Sequence, residues 1–307
     1  MSTPARSTVL PGDSAAQAAG TTFTLLAALG FAAVSTLTSV AVSSGTALPN
    51  VLTWRYVLSS VVLVGFVGAR GYKRMPSREL LQFIVIGGGG QALFVGLALS
   101  SIAYIPVGTL AFLFYTYPAW VTIVQAVRGA EPLTLRRAGA LALSFAGIVL
   151  IAGVPSAIGD NPGYWRGVAL ALGAAMLYGV YIPTMLHLQK SHPVPVTSAL
   201  AKIGSAACFL IWSVGTQSFD YALHGSAWGA IGALTVFSTV LPSVFFLMGL
   251  IRLGPVRTAI ISTVEPFLTA IIGAIVLAQP MSGRTIGGGA MIVAAVVLLQ
   301  FRRERVA

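Results

Sequence analysis

One carboxylate interrupts an otherwise apolar run where the chain reads RTAIISTVEPFLTAIIG, residues 257–273, and a proline follows it directly. An ionised carboxylate in hydrocarbon is costly, so Glu265 must be protonated, paired with a cation or exposed to water in a cavity. Two uses fit such a group: proton coupling or capture of a substrate amine, and a static pair with a lysine or arginine that fixes one helix against another. Pro266, and Pro118 in a second apolar run, each remove a backbone donor and leave the carbonyls of Ser262 and Phe114 without their i+4 partners. Freed carbonyls can hold a ligand or a water, or be absorbed in a packing kink that Ser262 or Thr263 helps to satisfy.

Arg55 and Lys202 are cations set within apolar runs. They suit attraction of a substrate carboxylate and an exchange of partners, Glu265 among them, while snorkelling to the headgroups accounts for them equally well. Aromatic residues crowd nearby: Phe112, Phe114, Tyr115, Tyr117 and Trp120 in one run, Tyr178 and Tyr181 in another. Tyrosine and tryptophan walls fit an amphipathic organic solute better than a bare ion, although packing and interface anchoring are their ordinary roles in membrane helices. Trp54 precedes Arg55 but on a helix points about 100° away, so the two need not share a face.

The elements that position these residues follow from composition. The chain has 307 residues, 56% of them hydrophobic and only 8% charged, with a mean hydropathy of +0.89. That is too little polar surface to coat a soluble domain, and it predicts an all-α polytopic membrane protein. Apolar runs at 21–42, 49–69, 79–101, 105–127, 135–154, 165–188, 194–215, 226–249, 254–278 and 284–302 predict ten transmembrane helices, each near the ~20 residues that cross a bilayer core. Ser100, Ser101 and Pro106 divide one long run, and Arg252, Gly254 and Pro255 divide another. Residues 1–20 read as a disordered cytoplasmic tail, 155–164 as a linker and 303–307 as a basic cytoplasmic tail.

The net charge of +11 would suggest nucleic acid in a soluble chain, but here its placement explains it. Arg70, Lys73, Arg74 and Arg78, then Arg128, Arg136 and Arg137, then Lys190, Arg252 and Arg257 all fall in alternate loops, and Arg302, Arg303 and Arg305 end the chain. The other loops hold little beyond Arg166, Arg284, Asp160 and Asp220. The positive-inside rule then puts both termini in the cytoplasm, with the protein in the cell (inner) membrane among lipids and with no nucleic-acid partner. Cys208 reads as a buried packing thiol. The glycine runs 87–90 and 287–289 lack the strand context and GK[ST] ending of a phosphate loop and are read as close helix packing, with a hinge at 87–90 as the alternative. His187, His192 and His224 are dispersed without ligand spacing, so no metal site or cofactor is expected.

The halves repeat. YPAWVTIVQAVRGAEPLTLRRAG from Tyr117 and EPFLTAIIGAIVLAQPMSGRTIG from Glu265 align without a gap, matching Pro118 to Pro266, Pro132 to Pro280, Arg136 to Arg284 and Gly139 to Gly287. Upstream, Gly20 meets Gly167, Phe31 meets Tyr178 and Arg55 meets Lys202. The copies span 21–154 and 165–302, each with five helices, and an odd number inverts the second copy relative to the first. Inverted repeats with a ligand site near the midplane are the recurring build of secondary transporters, because two near-degenerate halves can exchange conformations.

The five-plus-five arrangement, the YTYP stretch Tyr115–Pro118 with an EPL segment after it, and GPVRTAIISTVEPF at 254–267 resemble the EamA-type members of the drug/metabolite transporter superfamily. The resemblance implies a central cavity bounded by helices one to four and six to nine, with five and ten outside. It also implies export of small metabolites such as amino acids. The second copy departs from the family pattern at Ala278, Gln279 and Pro280, which weakens any carboxylate role there. The expected cavity candidates are Tyr117, Tyr115, Trp54, Tyr178 and Ser262, the expected hinges Pro118 and Pro266, and the expected transport residues Glu265, Arg55 and Lys202. The expected function is a secondary active exporter working by alternating access, with protons as a coupling partner through Glu265. A passive channel is the first alternative; an intramembrane enzyme is disfavoured by the lack of HExxH, GxSxG or paired carboxylates, and a structural membrane protein is the last alternative, which a lack of any transport phenotype would support. Small residues at Gly139, Ala142 and Ala146 would permit a homodimer through helices five and ten.

Overall fold

The structure is a computed structural model that describes residues 11–72, 75–105, 107–152, 163–189, 192–277 and 282–300. The first copy opens with α1 (Pro11–Ala32) and α2 (Val34–Ser43), a single run broken at Ala33, followed by α3 (Leu48–Ala69). Then α4 (Ser77–Gln82) passes through a π-helical segment, Phe83–Gly89, into α5 (Gly90–Ser101). The half-helices α6 (Val107–Phe114) and α7 (Tyr117–Val127) precede α8 (Leu135–Ala152). The second copy runs α9 (Tyr164–Gln189), α10 (Val194–Gly215) and α11 (Gly225–Thr235), through a second π-helical segment, Val236–Val240, into α12 (Leu241–Leu253). It ends with the half-helices α13 (Pro255–Ser262) and α14 (Glu265–Leu277) and with α15 (Gly283–Gln300).

Some expectations change. Helix begins at Pro11, so residues 11–20 are not a disordered tail. Residues 1–10, most of the expected linker, the basic tail and the Gln279–Pro280 departure lie outside the described residues. Among the described residues, eight helical runs are long and apolar enough to cross a membrane, against ten expected; α8 and α15 are the two outside that set.

Proline places the breaks. Without an amide hydrogen, Pro118 and Pro266 cannot bond back to residues 114 and 262, and each sits in the first turn of the half-helix that restarts after the gap. A threonine hydroxyl bonds back three residues at each break: Thr116 Oγ1 donates to Leu113 O at 2.7 Å and Thr263 Oγ1 to Ile260 O at 2.6 Å. The Thr24 and Thr122 hydroxyls are satisfied within their own helices, on Gly20 O and Pro118 O.

The packing is pseudo-twofold. α3 lies on α10 and α8 on α15, while α1 against α12 is matched by α9 against α5, and α7 against α9 by α14 against α1. Glycine permits the closest crossings. A Cβ on Gly147 would lie 2.6 Å from Gly288 O, and one on Gly88 would lie 2.5 Å from Gly204 Cα. Within the 87–90 run, Gly88 thus serves close packing inside a π-helical segment. The α8–α15 seam is made inside one chain, while Gly139, Ala142 and Ala146 face outward. Cys208 also faces outward and is exposed, not a buried packing thiol. Val61, Leu81, Ile211 and Ile275 add to an apolar outer face suited to lipid.

Candidate functional site

A cavity of about 640 Å³ lies between the two copies. Arg55, Lys202 and Glu265 are the charged residues that line it, with Tyr56, Gln91, Tyr115, Tyr117, Tyr178, Tyr181, Ser198 and Pro266 among the others. Each charge arrives on a different element: Arg55 from α3, Lys202 from α10 and Glu265 from the first turn of α14.

Glu265 occupies the helix restart created by Pro266, where the first amides of α14 lack intrahelical partners and favour negative charge. The Tyr115 hydroxyl, from the matching gap in the first copy, faces its carboxylate. Among the described residues no lysine or arginine lies within salt-bridge distance of Glu265; the ion pairs there are Arg137–Glu131 and His192–Glu79. Tyr117, the repeat counterpart of Glu265, lines the cavity and sends its hydroxyl to Ala259 O on α13 at 3.4 Å.

The cations sit at a second pole. Arg55 Nε donates to Thr239 Oγ1 at 2.6 Å and Nη2 to Ser238 O at 3.1 Å, both in the π-helical segment of the second copy. Lys202 Nζ donates to Gln91 Oε1 at 2.9 Å, just past the π-helical segment of the first copy. Each copy's buried cation therefore docks beside the other copy's π-helical segment. Both charges lie 5.3 Å from the centroid of the Tyr56 ring.

A row of rings joins the poles. Tyr115 and Tyr117 have centroids 6.2 Å apart, Tyr117 and Tyr178 4.7 Å, and Tyr178 and Tyr181 6.2 Å. At the far end the Tyr181 hydroxyl donates to Gly87 O at 3.0 Å. Phe94 and Phe114 pack along the same row.

Of the expected cavity residues, Tyr115, Tyr117 and Tyr178 line it. Trp54 does not: the rotation from Arg55 turns it onto Phe219 and Trp228, and its Nε1 donates to Asp220 O at 2.8 Å. Ser262 is buried behind the wall at the end of α13, and Pro118 likewise stays out of the lining while Pro266 reaches it. Arg55 and Lys202 exchange nothing with Glu265 in this conformation. Sequence reasoning missed Gln91 and Ser198. Gln91 was detectable as an amide within the 79–101 run, and Ser198 as the residue one helical turn before Lys202.

The profile of the EamA-like transporter family matches this chain twice, over residues 18–153 and 165–301, once per copy. The threonine/homoserine exporter RhtA of Salmonella typhimurium is 30% identical over 261 residues, covering 83% of each chain. An uncharacterized transporter of Synechocystis sp. is 26% identical over 216 residues, 69% of this chain and 64% of that protein. A solved crystal structure with 20% identity superposes with a TM-score of 0.79, covering 92% of this chain and 96% of the other, and shares the fold.

Proposed function

From the premise that this chain belongs to the EamA-like transporter family, we propose that it is a secondary active exporter of small organic metabolites, amino acids among them, working by alternating access. Its multi-pass membrane character and its place among transporters rather than enzymes follow from the family and the apolar helices. Ten spans in two inverted copies, both termini in the cytoplasm and an inner-membrane location belong to the proposal, supported by the odd number of spans per copy and the basic loops.

One observation carries the mechanism: Glu265 faces a cavity between the copies with no cation within salt-bridge distance among the described residues. A carboxylate at a helix restart, approached by a tyrosine hydroxyl and open to a solute path, is placed to take up and release a proton as the halves exchange conformations. The twin breaks at residues 115–116 and 263–264 supply a hinge in each copy. The exporter direction and the amino-acid class rest on the RhtA relative, which is named for threonine and homoserine.

The test is efflux from proteoliposomes preloaded with mixed amino acids and metabolites, read by mass spectrometry with and without an inward proton gradient. Wild type is expected to release a subset of solutes, faster under the gradient, and Glu265→Gln to lose the gradient response. Equal gradient response in both would leave a transporter whose Glu265 is structural. Release without counterflow stimulation would favour a passive facilitator, and no release of any solute would overturn the reading.

A further inference from the structure

The cationic pole of the cavity is assembled from donors. Gln91 Oε1 accepts from Lys202 Nζ at 2.9 Å and also from Ser205 Oγ at 3.3 Å, which fixes the amide orientation. The NH2 of Gln91 is then left with no acceptor among the described residues. Ser198 lies one turn before Lys202 on the same face of α10, lines the cavity and is 2% exposed, and its Oγ has no hydrogen-bond partner. Arg55 brings a second positive charge to the same Tyr56 ring. No carboxylate lies within salt-bridge distance of either cation among the described residues.

Two buried like charges around one ring repel, and a buried hydroxyl without a partner carries its own desolvation cost. Such a donor set is completed by an anion. Charge indicates which kind, since the two cations in the lining exceed its one carboxylate by a single unit, the charge of one carboxylate group. The ring row from Tyr115 to Tyr181 puts Glu265 at the other pole, so an amine directly beside that carboxylate is not what the lysine pole recognises.

We infer that Lys202, Gln91 and Ser198, with Arg55 alongside, form a subsite for the carboxylate of the transported molecule, whose apolar body lies along the tyrosine row. This deepens the transporter reading and rests on it; amino acids enter through their carboxylate, and simple organic acids qualify as well.

The test is binding to the purified full-length protein in phosphatidylcholine nanodiscs, by calorimetry, with hexanoate, norleucine, hexylamine and hexanamide as probes. Hexanoate and norleucine are expected to bind while hexylamine and hexanamide do not. Lys202→Gln is expected to weaken hexanoate by about tenfold or more, the scale of a lost charge-assisted hydrogen bond. Ser198→Ala should weaken it by about threefold to tenfold on the neutral scale, and Lys202→Arg should restore part of the loss. Ser198→Ala and Gln91→Leu decide the matter if Lys202→Gln does not fold. Equal binding of hexylamine, unchanged hexanoate affinity in the variants, or equal competition by chloride would each overturn the subsite. Carboxylate binding as expected without proteoliposome efflux would instead sink the transporter reading, and efflux without carboxylate binding would sink the subsite alone.

Discussion

Two seams related by the pseudo-twofold are joined by different means. Where α10 meets the π-helical segment Phe83–Gly89, backbone touches backbone: Gly88 faces Gly204, Ser205 Oγ donates to Gly88 O at 3.0 Å, and Lys202 is displaced onto Gln91. Where α3 meets Val236–Val240, the repeat places Val57 opposite the position of Gly204, and Arg55 spans the gap to Thr239 and Ser238 O. A glycine seam holds by van der Waals contact that weakens within a fraction of an ångström. A guanidinium on a long stem can follow its acceptors over a larger displacement. The copies therefore share a scaffold but differ in stiffness, with the tight seam on α10 and the compliant one on α3.

The largest test of this contrast is Gly204→Val, which puts into α10 the residue α3 already carries at the matching position. Its side chain would drive into the backbone of Ile84 and Gly88. A cost of roughly 3 kcal/mol or more is expected, the upper end of overpacking because the neighbours are backbone atoms, read as a lowered thermal unfolding midpoint in detergent. A midpoint equal to wild type would mean that the α10 seam is not tight. A smaller effect is expected for Arg55→Met, which leaves Ser238 O and Thr239 without the guanidinium. The loss of hydrogen bonds from a charged donor should cost about 1.5–3 kcal/mol, reduced because Thr239 Oγ1 still donates to Leu234 O at 2.8 Å. Arg55→Lys should recover part of it. Full stability in Arg55→Met would break the view that arginine holds this seam.

The sequence disclosed the charges and the repeat more readily than the backbone geometry that sets them. Glu265, Arg55 and Lys202 stood out because charge in an apolar run is expensive, and all three line the cavity. The breaks at Pro118 and Pro266 were legible because proline lacks a donor. The π-helical segments were not: Phe83–Gly89 and Val236–Val240 contain no proline, and the glycine run at 87–90 marked a possible hinge without indicating the wider i→i+5 turn. Trp54 and Ser262 were expected at the cavity but do not line it: the rotation of about 100° from Arg55 turns Trp54 away, and Ser262, expected for the carbonyl that Pro266 frees, is buried at the end of its half-helix. Gln91 and Ser198 escaped notice because uncharged polar residues are common in membrane helices, and their meaning depends on which partner they lack.

The smallest effect separates the two helix breaks. Both breaks are two residues long with a threonine hydroxyl bonded back three residues, yet one restarts with Tyr117 and the other with Glu265. If the chemistry belongs to the second break alone, Tyr117 is a wall, its hydroxyl facing the Ser262 hydroxyl and making a long bond of 3.4 Å to Ala259 O. Tyr117→Phe is then expected to change stability by no more than about 1 kcal/mol, the net worth of one neutral hydrogen bond, and to leave gradient-driven efflux within about fivefold, since about 1.4 kcal/mol is needed for tenfold. Tyr115→Phe, which removes the hydroxyl facing Glu265, should reduce the gradient response more. A Tyr117→Phe defect as large as that of Glu265→Gln would show that the first break takes part in coupling, and the asymmetry between the copies would then lie in their seams rather than in their breaks.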